Sequence, residues 1–326
     1  MMSNNSSRSS KVVCITGGAG DPYKVGLLKN LPDADSRLQL FEADIYNPDE
    51  FDLAIKGCEF VFHVATPLQH NHQSSQYKNT TEAAIAGVRS IVESCIRSGT
   101  VKRLIYTATV VAASPLKEDG SGFKDVMDES CWTPLNLHFS YSNDQWMAYA
   151  ESKTLAEKEI LSFGNKDVNG GVMEVVTLAC GLVGGDTIHS YLPESTAVLI
   201  SQLPVPYNSA RFQALKYLQA LLGMIPILHI DDVVEAHHFC MDQPSLKGRY
   251  LCANGYVTTT EIADYYRQYY PQLEIEQESE EDEEVERTVT WGSTKLNDMG
   301  FVYKYDIKKI LDDSIEYARK FGDLIK

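Results

Sequence analysis

A short apolar strand that runs into a glycine cluster constrains this chain more than any other feature. Lys11-Val12-Val13-Cys14-Ile15 reads as a β-strand and leads directly into Thr16-Gly17-Gly18-Ala19-Gly20. Glycines after a strand let backbone amides approach a pyrophosphate, and a helix opening there turns its positive end toward the same group. The pattern predicts a dinucleotide site at the strand's carboxyl end, with Gly17 and Gly20 as phosphate contacts. The continuation departs from it. Asp21-Pro22-Tyr23 stands where the helix should open, and Tyr23 takes the place of the third glycine of the fingerprint.

The rest of the chain alternates strand and helix patterns. Strands are predicted at Val12–Ile15, Leu38–Glu42, Phe60–Val64, Leu104–Thr107, Val175–Leu178 and Ile227–Ile230. Helices are predicted near Thr80–Ser98, Asp144–Ser162, Asp231–Met241 and Asp306–Phe321. Strands separated by helices imply a parallel sheet covered on both faces, so the fold class is α/β, a Rossmann-type doubly wound parallel sheet with a smaller C-terminal lobe. Residues 1–10 are expected to be a disordered tail and 11–183 a dinucleotide-binding domain, to which 224–242 return. Residues 184–223 and 243–326 are assigned to a substrate-binding lobe, in which the acidic run Glu274–Arg287 reads as a solvated turn or strand edge.

Composition removes several classes of function. Twenty-nine basic against 45 acidic residues give a formal charge of -16, which argues against nucleic acid and anionic membrane surfaces as partners. Seven cysteines stand singly with no CxxC pair, the pattern of reduced thiols in a cytoplasmic protein. The first ten residues lack the apolar core of a secretory signal, and no later apolar run is long enough to span a bilayer. His70 and His72 lack metal geometry with carboxylates, and no metal is expected. A small molecule is the expected partner, and the chain is expected to be a monomer or a weak homodimer.

The reacting group is sought in Tyr149-Ala150-Glu151-Ser152-Lys153, which places a phenol and an ammonium one helical turn apart on the same face. A nearby ammonium favours the phenolate and brings the tyrosine closer to use as an acid. The spacing alone is weak, because Tyr305 and Lys309 repeat it. Context separates the two pairs. Before Tyr149 comes the strand Arg103-Leu104-Ile105-Tyr106, ending in Thr107-Ala108-Thr109, whose hydroxyls emerge at the carboxyl edge of a parallel sheet, where ligands bind. Trp132 and Trp146 could flank a substrate mouth, with core packing the plainer use, and His63 reads as a packed core histidine.

With "YAESKTLAEKE" around Tyr149 and Lys153, the chain resembles the extended short-chain dehydrogenase/reductases, in particular the dihydroflavonol, anthocyanidin and vestitone reductase group. "FEADIYNPDEFDLAIKGCEFVFHVATP", "GTVKRLIYTAT", "LACGLVGG", "ILHIDDVVEAH" and "GSTKLNDMGF" carry the resemblance over almost the whole length from Lys11 onward. "DESCWTPLNL" and "TATVVAASPL" look closest to the anthocyanidin-reductase branch. The resemblance implies hydride transfer from a nicotinamide cofactor, NADP(H) in preference to NAD(H), to a flavonoid-type substrate. In that reading Tyr149 supplies a proton, Lys153 holds the nicotinamide ribose and Thr109 hydrogen-bonds the reacting oxygen. Threonine replaces the family's usual serine at position 109. Asp44 and Ile45 meet the adenine, Val64, Ala65, Thr66 and Pro67 line the nicotinamide half, and Ser114 falls where dihydroflavonol reductases grip the substrate with an asparagine. Cys180 sits where relatives carry proline.

Against the family, the glycine loop is followed by a gap. Relatives continue into a long helix and a second strand ending in an arginine that reads the adenosine 2′-phosphate. Here about 20 to 25 residues are absent, one helix and one strand of a βαβ unit of roughly 30 or more residues. Lys24 is then the basic residue left to meet a 2′-phosphate. A rival local reading has Asp21 capping a short helix with Pro22 at its first position, followed by strand Leu38–Glu42 and by Asp44 as the ribose-binding acid of an NAD site. The alternative to a working reductase is a truncated, non-catalytic splice or gene-model variant with impaired cofactor binding.

Overall fold

Apolar runs buried on both faces build a parallel sheet. In the computed structural model, which describes residues 11–18, 21–45, 47–66, 77–164, 167–168, 171–204, 208–275 and 289–320, five such runs pair. They are β1 (Val13–Ile15), β2 (Phe60–His63), β3 (Arg103–Thr109), β4 (Glu174–Cys180) and, after an intervening second sheet, β7 (Gly248–Cys252). The order is β1-β2-β3-β4-β7, parallel throughout. Alternate residues face opposite ways. Leu104, Tyr106 and Ala108 join one apolar cluster with helices α2 (Thr80–Ser98) and α3 (Asp144–Ser162), while Ile105 joins another with α5 (Ile230–Asp242). The sheet is therefore covered on both faces.

Helix ends follow local chemistry. Asn79 opens α2 by accepting from the Glu82 amide, and Gly99 closes it at φ 64°, a left-handed conformation that glycine adopts without strain. Asn143 opens α3 by accepting from the Trp146 amide, which fixes the rotation of the helix that carries Tyr149 and Lys153.

A three-stranded sheet lies beside the main one, and two two-stranded pairs, Val126–Met127 with Thr290–Trp291 and Asp167–Val168 with Gly171–Val172, stand apart from both. The strands of the three-stranded sheet are β5 (Leu182–Gly184), β6 (Ile225–His229) and β8 (Gly255–Val257), in the order β8-β6-β5, packed among α4 (Asn208–Leu222) and α6 (Ile307–Lys320). Two placements correct the sequence reading. The strand around Ile227 belongs to this small sheet rather than the main one, and β7 joins the main sheet from within the stretch assigned to the second lobe. Both depend on pairing between distant segments, which periodicity does not encode.

The start of the chain departs further. A helix is present directly after the glycines: α1 (Pro22–Lys29), with Asp21 as its cap and Pro22 at its first turn, as the rival local reading had it. No strand forms at Leu38–Glu42. Residues 38–44 run without regular structure, with Leu38 exposed, since a lone strand lacking burial on both faces does not repay its ordering entropy. The sheet therefore stops at β1, whose outer edge is unpaired among the described residues, leaving Val12 51% and Ile15 61% exposed. The predicted tail 1–10, Gly20, Pro67, His70, His72 and nearly all of Glu274–Arg287 lie outside the described residues. No helix among the described residues is long and apolar enough to cross a membrane.

Candidate active site

The carboxyl end of β3 sets the site. Thr109, the last residue of that strand, turns the chain into a 3-10 turn and caps it by accepting from the Val111 amide at 3.2 Å. Helix α3 runs opposite and brings Tyr149 into the wall of the same cavity as Thr109. One turn on, the Lys153 ammonium is almost fully buried and donates to the Tyr106 hydroxyl at 2.9 Å, to Thr66 Oγ1 at 3.0 Å and to the Thr107 carbonyl at 3.2 Å. It also lies 4.6 Å from the centre of the Tyr106 ring. Thr109, Tyr149 and Lys153 are thus one cluster, as the sequence reading expected of their positions.

The electrostatics differ from that expectation. Burial raises the Tyr149 pKa, and although the Lys153 charge and the Thr109 hydrogen bond pull it down, burial prevails. Burial likewise lowers the pKa of Lys153. Tyr149 is therefore held as a protonated phenol at neutral pH, the form from which a proton can be donated.

Tyr149 and Thr109 open into a cavity of about 320 Å³ beyond the ends of β3 and β4, walled also by Trp146, Cys180, Tyr217 and Leu218. Trp146 is a lining residue, whereas Trp132 stacks under the Arg249 guanidinium at 3.7 Å and does not line the cavity. Ser114 does not line it either. Fully buried, its hydroxyl donates to the Leu221 carbonyl and accepts from the Leu116 amide. Tyr305 and Lys309 bind Asp231 and Asp313, away from this cluster.

Toward the nucleotide end, one hydroxyl that the sequence reading overlooked joins two strands. Thr16 Oγ1 accepts from the Val64 and Ala65 amides, each at 3.1 Å, and lies 3.0 Å from His63 Nδ1. With its oxygen occupied by two amides, its proton goes to His63, which burial and the Lys153 charge hold neutral with a pKa pushed down to about 3. Gly17 stands at φ +100° over Ala65, where an added Cβ would come within 3.3 Å of the Ala65 side chain. The glycine loop, the Val64–Thr66 segment and Lys153 are connected through these bonds.

The other nucleotide residues do not gather as closely. The Asp21 carboxylate takes the Tyr23 amide at 2.9 Å, so the amide that would meet a phosphate is occupied by a negative group. Tyr23 accepts from the Ser190 amide and lies against the rings of His189 and Tyr191, clasping α1 to the second lobe. Lys24 lies on α1 near His189. The Asp44 amide donates to Glu50, and Ile45 packs on Gly87 of α2. No group of three or more metal-binding side chains occurs among the described residues.

The doubly covered parallel sheet, with a tyrosine, a lysine and a threonine at its carboxyl edge, defines an oxidoreductase of the extended short-chain dehydrogenase/reductase class. A profile of the 3-beta hydroxysteroid dehydrogenase/isomerase family matches residues 27–199. Anthocyanidin reductase of Arabidopsis thaliana is 31% identical over 97% of both chains, and vestitone reductase of Medicago sativa 33% identical over 96% of this chain and 98% of its own. The crystal structure of the alfalfa vestitone reductase superposes with a TM-score of 0.73 at 32% identity, covering 96% of this chain and 92% of that one. A yeast methylglyoxal/isovaleraldehyde reductase complexed with NADPH shares the fold at 19% identity and a TM-score of 0.72, covering 97% and 93%. The chain belongs to the family of anthocyanidin, dihydroflavonol and vestitone reductases.

Proposed function

We propose that the chain is an NADPH-dependent reductase of a flavonoid-type substrate, nearer the anthocyanidin than the dihydroflavonol type, acting in the cytoplasm. The observation that supports it most is that Thr109 and Tyr149 share the wall of one largely apolar cavity, with Lys153 one helical turn along and bound to the Thr107 carbonyl of the same strand end. The residues present fit the nicotinamide half of the cofactor. Lys153 and Thr66 hold the ribose, with Val64 and Ala65 beside them. They fit the phosphate half less well, because Asp21 places a carboxylate at the start of α1 and Lys24 is left to meet the 2′-phosphate.

NADPH, when bound, would supply a hydride to the ketone or conjugated flavonoid ring system held in the cavity. Thr109 donates a hydrogen bond to the oxygen that gains charge, a preorganised donor in a water-poor site. Tyr149 transfers its phenolic proton to the oxygen or carbon that gains charge and is reprotonated from solvent. Lys153 steadies the phenolate formed in between.

Purified protein with NADPH and a flavonoid ketone or anthocyanidin tests the reading. NADPH consumption matched by reduced product supports it. No product at saturating NADPH, with an active relative run in parallel, leaves the non-catalytic variant. Fluorescence titration of NADPH measures the weakened phosphate end, and affinity in the low micromolar range or tighter rejects the weakening.

A further inference from the structure

Lys153 spends all its protons inside the protein. An ammonium has three N–H donors, and here they go to the Tyr106 hydroxyl at 2.9 Å, Thr66 Oγ1 at 3.0 Å and the Thr107 carbonyl at 3.2 Å. Among the described residues no carboxylate pairs with it: Glu157, one turn further along α3, is committed to Arg249 and Thr177. His63, whose ring lies 5.4 Å from that of Tyr106, is held neutral. The buried charge is therefore held at contact distance by dipoles alone. Burial pulls the Lys153 pKa down, opposed by Tyr149, Glu157 and Cys180 nearby, so loss of an acceptor would weaken the charged form further.

The three partners differ in how firmly they are placed. Tyr106 is fully buried in β3, a strand paired on both sides, and its ring centre lies 4.6 Å from the ammonium nitrogen. The Thr107 carbonyl belongs to the same strand. Thr66 follows the end of β2 without regular structure and is half-buried. A ribose hydroxyl that is to meet Lys153 must replace one of the three, and Thr66 is the one with room to turn away.

We infer that Tyr106 is a positioning residue: its hydroxyl anchors the Lys153 ammonium to β3, while Thr66 is the partner given up to the ribose. The inference rests on the reductase reading above and adds to it a residue that acts only through Lys153. Tyr106 suits this role because burial raises its own pKa, which leaves a neutral phenol whose oxygen accepts from the ammonium.

The test follows the ε-carbon resonance of Lys153 by NMR as the pH rises, the signal being identified by its loss in Lys153→Met. Tyr106→Phe keeps the ring and removes the acceptor, and the Lys153 midpoint is expected to fall by about one pH unit. An unchanged midpoint in the folded variant overturns the inference. Thr66→Val, at a half-buried position, is expected to move the midpoint by less, since water can replace its hydroxyl. A fall as large as about one unit there makes Thr66 the anchor and overturns the inference, whether or not Tyr106→Phe folds. NADPH binding, followed by fluorescence over the same pH range, supplies a second readout. Affinity is expected to weaken as Lys153 loses its proton, and to do so about one unit lower in Tyr106→Phe. An even loss at every pH marks a purely structural role and overturns the inference. If neither protein binds NADPH, the reductase reading fails, and the Lys153 midpoint still decides the anchor.

Discussion

The two ends of the ligand cleft are built to different standards. At the proposed reacting end, a seven-residue strand paired on both sides and a helix of 19 residues hold the half-buried Thr109 and Tyr149 near the buried Lys153. At the nucleotide end, a three-residue strand is paired on one side, and an eight-residue helix with no buried residue follows it. On the proposed reading, the difference teaches that chemistry and cofactor grip rest on separable parts of this fold. β3, β4 and α3 can keep Thr109, Tyr149 and Lys153 in register while the first crossover carries only short helices, the first of them clasped by Tyr23.

Four measurements can break or sharpen that contrast. The largest effect is expected from Tyr149→Phe, which keeps the ring and removes the proton: turnover falls about 10²–10⁴-fold with little change in thermal stability. Equal turnover in the two proteins removes Tyr149 from the mechanism. Next is the buried pair behind the reacting end, where Arg249 meets Glu157 at 3.0 Å, with Glu157 also accepting from Thr177 at 2.7 Å. Arg249→Leu leaves that carboxylate buried and unpaired, and denaturant unfolding is expected to show a loss of about 3–5 kcal/mol. A loss near zero means the scaffold is softer than its packing implies.

The third is a pH effect. His63 has a folded pKa of about 3 against its ordinary 6.5, so between those values the unfolded chain binds the extra proton. Stability is fully present above 6.5 and declines as the pH drops toward 3. Urea unfolding should register a decline of about 2 kcal/mol between pH 7 and 5. His63→Gln should flatten that slope, and a slope unaltered by the substitution assigns it to other groups. The smallest effect is expected at the nucleotide end. Asp21→Asn keeps a helix cap but removes its charge, and NADPH should bind roughly two- to fivefold tighter. No gain in the titration means the phosphates do not approach α1.

Legibility in the sequence follows the same divide. The spans of α2 and α3 are readable to the residue because capping asparagines and apolar spacing are local signals. Thr109, Tyr149 and Lys153 are readable because strand end and helix face fix where they point. Thr16 is not, since its hydroxyl meets amides 48 and 49 positions away only after β1 and β2 pair. Tyr106 behind Lys153, and Arg249 reaching Glu157, are equally long-range. Ser114 misleads for the converse reason: position relative to a family motif does not reveal that the Leu221 carbonyl takes its proton. The strand expected at Leu38–Glu42 has the residues of a strand, but none of its side chains is buried, and the β1 edge beside which it could pair stays unpaired among the described residues.

The margin of β1 that is unpaired among the described residues also bears on solubility. Open backbone groups beside Val12 and Ile15 are a template on which another polypeptide could zip. With only three residues there are too few rungs for a lasting intermolecular ladder, so brevity shields this rim where other folds use an overlying helix. Any change that extended the strand by a few positions would turn a harmless stub into a nucleus for aggregation.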